Sequence, residues 1–245
     1  MSRVSNLFLA SLAEADYELI RPHLKPVELP QGTVLFDIGS SIHQVYFPED
    51  GVVSLVVDLT SGDTIESAMI GRESVVGASS GLNGQVSVCK AIVQLAGTAT
   101  ALDSHWLRSL ADSSVACRTM LFRHEQLVLV QAQQSAACNA THTIEARLAR
   151  WLLRCRDLQG SDDLPLTQEF ISQMMGVRRT SVSEVATTLQ EAGFLRYRRG
   201  HIRIVDLDGL QQTACECYRT VRSHVDRLLS QDDVGRSFSA FGPMA

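Results

Sequence analysis

The sequence predicts an α+β protein: a β-rich first part, one long helix, and a second part of shorter helices closed by a hairpin. Three observations carry that expectation. Short apolar runs separated by glycines fill residues 27–102, residues 115–141 contain neither Gly nor Pro, and beyond 144 apolar residues recur at helical spacing. The 245 residues are enough for two domains of ~100–150 residues each. A hydrophobic share of 45% with 20% charged residues suits packed cores and excludes disorder for the bulk of the chain. No run reaches the ~18 uncharged apolar residues of a membrane helix. Leu7–Ala10 leads directly to Glu14 and Asp16, unlike a signal peptide. A soluble cytoplasmic protein with no membrane partner is expected.

In chain order, Leu12, Tyr17, Leu19 and Ile20 mark an amphipathic helical stretch ahead of Pro22. Glycines at 32, 39, 51, 62, 71, 77, 81, 84 and 97 then punctuate Val45-Tyr46-Phe47, Val52–Val57, Ile65–Ile70, Ser74–Val76 and Ala91–Leu95. Short β-branched runs recurring at ~8–12 residues predict an antiparallel barrel or jelly roll. Asp103 and Ser104 can cap a short helix to Leu110, and Ser113 or Ser114 a longer one over 115–141. Leu127–Val130 is apolar on every side, and Ala132, Ala136, Ala137 and Ala140 follow. Such a helix must be covered by its own domain or by a second chain; a homodimer built on it is expected. A further helix, Ile144 to about Leu158, carries Leu148, Trp151, Leu152 and Cys155 with Arg147, Arg150, Arg154 and Arg156 interleaved. Gln159–Asp163 is a polar break.

Charge is unevenly distributed. Within a net charge of −5, residues 1–140 hold 8 basic and 14 acidic side chains, whereas residues 147–205 hold 10 Arg, no Lys and 6 acids. A basic block in an acidic chain points to a polyanion partner for that block. Inside it, Thr167 can cap a helix ending near Met175, with Gly176 supplying a positive φ and Val177 plugging the turn. A second helix begins near Arg178–Thr180 and turns Val182, Val185, Ala186 and Leu189 inward. This is the helix-turn-helix arrangement, whose second helix presents its N-terminal side chains to base edges. Past Gly193, two alternating strands around Arg198-Arg199-Gly200-His201 read as a hairpin wing whose cationic tip suits phosphate. Double-stranded DNA is the expected partner.

With these segments in view, residues 10–230 resemble the Crp/Fnr family of bacterial transcription regulators. The resemblance rests on the glycine-spaced β segment, the long helix, Ile144-Glu145-Ala146-Arg147-Leu148-Ala149, and Met175-Gly176-Val177-Arg178-Arg179-Thr180-Ser181-Val182. It implies a cyclic-nucleotide-binding-like jelly roll over 1–112, a dimerisation helix over 113–142, a winged helix-turn-helix over 143–230 and a flexible tail over 231–245. It also implies an inverted-repeat operator and admits RNA polymerase as a protein partner. The base-reading places of the family fall on Arg179, Thr180 and Glu184, departing from the Arg–Glu–Arg and Glu–Ser–Arg patterns of well-known members. Arg179 could pair bidentately with guanine; Glu184 either accepts from cytosine or is a solvated helix surface. Arg178, Ser181 and Ser183 are placed for phosphate or water-bridged contacts, unless Arg178 only pairs within the helix. Arg198, Arg199 and His201 complete the candidate DNA-binding set.

For the first part, the resemblance directs attention to a candidate effector pocket at Arg72, Gly77, Ala78, Cys89 and Lys90. Cyclic-AMP-binding members grip the ribose with Gly-Glu and the phosphate with Arg-Ser. Here Ala78 stands where that Glu would be, and Val86–Lys90 offers no Arg; lysine is the poorer partner for a buried phosphate. Cyclic AMP control is therefore not expected, Arg72-Glu73 reads as a turn cap, and the effector stays open. The first cysteine is Cys89, so an N-terminal iron–sulfur cluster is absent, and His23, His43, His105 and His124 are haem-ligand candidates by residue type only. Cysteines 89, 117, 138, 155, 215 and 217 are scattered, and Cys215-Glu216-Cys217 has no companion at zinc spacing. Free buried thiols, no metal and no cofactor are expected. A second reading is a small-molecule or redox sensor whose winged helix contacts proteins. No P-loop, H-E-x-x-H or G-x-S-x-G motif suggests an enzyme.

Overall fold

The computed structural model describes residues 5–229; the expected tail over 231–245 lies outside them. Two short helices, α1 (Leu7–Ser11) and α2 (Glu14–Ile20), precede seven strands: β1 (Lys25–Leu29), β2 (Val34–Phe36), β3 (Gln44–Pro48), β4 (Val52–Asp58), β5 (Thr64–Ile70), β6 (Lys90–Leu95) and β7 (Gly97–Asp103). They pair antiparallel into two sheets, β1-β7-β3 and β2-β6-β4-β5, whose facing sides enclose Phe36, Val45, Phe47, Val53, Leu55, Ile70, Ala91, Val93 and Leu102. The jelly-roll expectation is met, with two local differences. Ser74–Val76 makes only a single bridge, Val76 to Tyr46, because a left-handed Gly77 and a short 3-10 turn over Ala78–Leu82 follow at once. Leu19 is exposed rather than inward, and Ile20 takes the buried position.

Helix α3 (Ser104–Ser113) is capped by Asp103, and α4 (Val115–Thr141) by Ser114, each side chain accepting a backbone N–H. The long helix is not buried all round. One stripe, Cys117, Leu121, His124, Leu127, Gln131 and Cys138, faces its own chain. His124 lies under Phe8 with its Nδ1 2.7 Å from the Ser74 hydroxyl; burial pushes its imidazole down to about 3. It is a neutral core histidine, not a haem ligand.

After α5 (Ile144–Gln159) come β8 (Asp163–Leu164), α6 (Gln168–Met175), α7 (Arg179–Glu191), β9 (Leu195–Arg198), β10 (His201–Ile204), α8 (Leu207–Thr213) and α9 (Cys217–Leu229). β8-β10-β9 form a small antiparallel sheet. The core of this second part is continuous with the outer face of the larger sheet. Val52, Val56, Met69 and Leu95 join Leu148, Trp151, Leu152, Leu158, Ile171, Met174 and Leu189 in one cluster. The strand period of two explains it: Val53 and Leu55 point into the jelly roll, Val52 and Val56 out of it. The near-continuous apolar run of β4 needs two covers, and α5 with α6 supplies the second.

A buried polar chain crosses this contact. The Ser54 hydroxyl lies 2.6 Å from Glu66 Oε2 and also bonds Gln94, whose amide donates to Cys155 Sγ (3.1 Å). Trp151 Nε1 donates to Glu66 Oε1 (3.0 Å). One hydroxyl proton cannot serve Glu66 and Gln94 together, but a protonated Glu66 donating to Ser54 satisfies every group. Burial accordingly pushes Glu66 up to about 7 from 4.5, against the Ser54 and Trp151 bonds and the nearby Arg150 and Arg154 charges. Alongside, Arg154 pairs with buried Glu73; Glu73 is thus an interdomain partner, not the turn cap expected.

Because the folded value exceeds the unfolded one, the stability Glu66 contributes is full below about pH 4.5 and lost as pH rises to about 7. The loss is on the order of 3 kcal/mol. Glu66→Gln keeps both hydrogen bonds without ionising. Its Tm relative to wild type should rise across pH 4.5–7 and be level above it, as thermal melts of both proteins would show. His124 titrates in both proteins and drops out of the difference. A pH-independent difference would contradict the protonated assignment.

Candidate nucleic-acid interface

The helix-turn-helix is built locally. Thr167 caps α6 by accepting from the Phe170 N–H (3.1 Å). Gly176 ends that helix at φ 62°, a left-handed turn that favours glycine, and an added Cβ would also press on the Ile65 side chain of β5 at 3.0 Å. Arg147, from α5, donates through Nη2 to the Met175 carbonyl (2.7 Å) and so closes the same turn. Val182, Ala186 and Leu189 of α7 are buried, and Val177 and Val185 pack against them, as the spacing predicted.

The start of α7 is electrostatically unusual. Its N-cap is Arg178, which makes no side-chain cap bond, and Arg179 follows. Helix N-termini carry unsatisfied N–H groups and partial positive charge, so acids or short polar caps are the favoured residues there. Two exposed cations at this end suit an anion from outside. Arg179 Nε stands 3.7 Å from Glu169 Oε2, with both side chains largely solvated, a pairing weak enough to give way. Thr180 and Glu184 are exposed and Ser181 half-buried. Ser183 differs from expectation: its hydroxyl lies 2.6 Å from Gln168 Oε1 and 3.0 Å from the Arg179 carbonyl, so it braces the two helices.

The hairpin turns on Arg199 (φ 45°) and Gly200 (φ 83°), two consecutive positive-φ residues between the paired Arg198 and His201, the two-residue hairpin expected. Its tip rests on α6: a Cβ at Gly200 would meet the Thr167 methyl at 3.4 Å. Residues 167–169 are thus the common floor, Thr167 under the wing, Gln168 on Ser183 and Glu169 on Arg179. On the outer face of the hairpin Arg196 stands opposite Arg203, and Arg198 opposite His201. Facing like charges weaken a sheet; Arg203 is relieved by Asp163 at 3.6 Å, whereas Arg196 is exposed beside it. Arg196 was missed from the sequence-derived set, and strand alternation from Arg198 could have found it.

The basic block is smaller than its sequence count. Arg147 and Arg154 turn inward as described, and Arg156 pairs with Asp162 and Asp157. What remains over 178–203 is six arginines against Glu184 and Glu191.

The candidate effector residues do not form one polar site. Gly77 lies under Ile42, Val45 and Phe36, Ala78 is buried, Arg72 is exposed, and Lys90 at the start of β6 pairs with Asp58 at the end of β4. Cys89 is half-buried, with burial pushing its thiol up. Burial likewise pushes Cys117 up to about 12 and Cys155 well up, so neither is a ready thiolate. One expectation is corrected. Cys215 and Cys217 do have companions, because the fold brings Cys138 and His142, at the end of α4, to within 4.8 Å ligand-atom separation of them.

Residues 146–213 match the family model of the Crp-like helix-turn-helix domain. No curated protein matches the chain. Among solved structures it is similar to FixK2 from Bradyrhizobium japonicum, at 17% identity over 78% of this chain and 98% of that one, with a TM-score of 0.67. It is similar to CLP, the c-di-GMP responsive global regulator of Xanthomonas campestris, at 16% identity, 78% and 99% coverage and a TM-score of 0.62. A CRP/FNR-family transcriptional regulator from Thermus thermophilus gives 22% identity, 78% and 98% coverage and a TM-score of 0.58. Residues 146–213 are thus a Crp-like helix-turn-helix domain, and the described chain shares its fold with these Crp/Fnr-family regulators.

Proposed function

We propose that the chain is a homodimeric, sequence-specific DNA-binding regulator acting on an inverted-repeat operator, without control by cyclic AMP. The observation that carries the reading is the cationic, uncapped start of α7 beside an arginine-rich hairpin. Arg179, Thr180 and Glu184 are the base-reading candidates, with Arg178, Ser181, Arg196, Arg198, Arg199 and His201 on the phosphates. Ser183 acts at one remove, through Gln168.

Support for a dimer comes from the face of α4 turned away from its own chain. Val115, Phe122, Leu129 and Ala136 recur every seven residues; the first three are 68%, 55% and 56% exposed. Residues seven apart share one face of a helix, and this apolar row supplies one of the two positions that a helix-pair seam uses. Against cyclic AMP stand buried Ala78 where a ribose-gripping carboxylate would be, and Lys90 held by Asp58. The decisive experiment is selection of bound sequences from a random DNA pool, which should return an inverted repeat with half-site centres ~34 Å apart or a multiple of it. Enrichment of no sequence would overturn the reading in favour of protein contacts by the wing.

Arg179→Ala should cost ~1–3 kcal/mol on the selected operator and relax preference at one base pair per half-site. Arg199→Ala should weaken all sequences alike and lower the salt slope by ~2 for a symmetric dimer. Binding isotherms at several salt concentrations separate the two.

Arg178→Ser supplies the missing cap and removes a cation from the helix start. It should raise stability by ~1 kcal/mol in denaturant unfolding while weakening DNA binding, opposite signs that a purely structural residue would not show.

Leu129→Glu lies outside the chain's own core, so far-UV circular dichroism should be unchanged. Sedimentation should nevertheless show a shift toward monomer, with affinity for the two-half-site operator falling more than for a single half-site.

A further inference from the structure

The cluster at the end of α4 plays no part in the function proposed above. Cys138 occupies the last turn of α4, and His142 is the residue that ends it, immediately before Thr143 caps α5. Cys215 and Glu216 lie between α8 and α9, and Cys217 is the first residue of α9. The two segments are 77 residues apart at Cys138 and Cys215, yet those sulfurs lie 3.5 Å apart, and Cys217 Sγ lies 3.6 Å from His142 Nδ1. All four ligand atoms fall within 4.8 Å of one another. A tetrahedral ion with metal–sulfur bonds of about 2.3 Å and metal–nitrogen bonds of about 2.0–2.1 Å separates its ligand atoms by about 3.5–3.8 Å.

The surroundings match a metal site beyond the ligands. His142 turns Nδ1 toward Cys217 and Nε2 toward Glu216 Oε1 at 3.2 Å. That is the carboxylate–histidine–metal arrangement, which fixes the ring and its tautomer. Gln134 Nε2 donates to Cys217 Sγ at 3.0 Å, as amides do to metal-bound sulfur. Cys138, Cys215 and Cys217 are buried in a small cluster of their own with Ala146, while His142 is half-buried and leaves an entry edge. Arg147 and Arg150 on α5 lie within electrostatic reach of the sulfurs and offset the −1 charge of a divalent ion bound by three thiolates.

We propose that Cys138, His142, Cys215 and Cys217 form a Cys3His site for Zn2+ that ties the α4–α5 hinge to the α8–α9 turn. Three thiolates and an imidazole in tetrahedral array select zinc over the oxygen-seeking magnesium and calcium. Four protein ligands leave no open position, so the site is structural rather than catalytic. By clamping the residue at which the exposed-faced helix passes into the arginine-bearing helices, the ion sets how those two parts are held.

The test is metal content and cobalt spectroscopy on the full chain, independent of any DNA. Protein purified under reducing conditions without a histidine tag should carry one equivalent of zinc per chain by plasma mass spectrometry. After chelation, Co2+ should give the intense visible bands of tetrahedral thiolate coordination, which Zn2+ then bleaches. Cys217→Ser and His142→Ala should each lose those bands, Cys89→Ser should retain them, and Glu216→Gln should weaken metal affinity by about 10–100-fold. His142 is partly exposed, so its variant guards against simple misfolding of the cysteine one. Chelation should also lower Tm. The proposal is overturned by zinc-free protein that gives only octahedral cobalt spectra, by bands that survive both ligand variants, or by protein that, given zinc in the presence of air, is oxidised by dioxygen to a Cys138–Cys215 disulfide instead of taking up metal.

Discussion

The structure depends on one constraint: the sheet β2-β6-β4-β5 is apolar on both faces. A jelly roll covers only the inner one. Val52, Val56, Met69 and Leu95 must be withdrawn from water by something else, and the second part of the chain does this with Trp151, Leu152 and Leu158. Several features follow. Gly71 must be glycine because a Cβ would come within 2.8 Å of Leu158, and Gly176 meets Ile65 on the far side of the helix-turn-helix. Polar groups caught in the contact, Ser54, Gln94, Glu66 and Glu73, are all given partners from across it or beside it. The arginine-bearing helices are therefore not a loosely tethered module; they share a core with the sheet.

That shared core sorts the arginines into two populations. Those on α5 serve the fold: Arg147 closes the turn between α6 and α7, and Arg154 neutralises Glu73 where an unpaired carboxylate would be costly. Those on α7 and the hairpin make at most solvated pairs, Arg179 with Glu169 and Arg203 with Asp163, and their placement opposes local stability. Cations at a helix start and like charges across a strand pair are each unfavourable alone. Their grouping in one exposed region, over the common floor of residues 167–169, supports the polyanion partner proposed above. The long helix shows the same division, one stripe committed to its own chain and a seven-residue repeat left outside.

Much of this was legible in sequence because it is local. Ser114 and Thr167 announce their helices through a cap bond to an N–H a few residues away. Gly176 and Gly200 announce their turns by the backbone angles only glycine takes readily. The β-branched run of β4 and the helical spacing within α7 depend on neighbours a few residues apart. The places where the reading slipped are equally particular. Ser183 read as a phosphate or water-bridged contact, whereas its hydroxyl also meets Gln168, fifteen residues earlier. Glu73 looked like a turn cap until Arg154 met it.

By itself, then, the sequence determined the order of elements, the helix-turn-helix with its hairpin, and the residues at the start of α7. All of these are set by hydrogen bonds and periodicities of short range. Only the tertiary structure decided which arginines stay outside, which face of α4 is left uncovered, and that Cys138 and His142 come to Cys215 and Cys217. No spacing rule could show that last grouping. Its two halves are strangers in sequence, joined because α9 packs back along α4. Burial of apolar faces brings distant segments together, and the polar chemistry at the junction is set by what they carry.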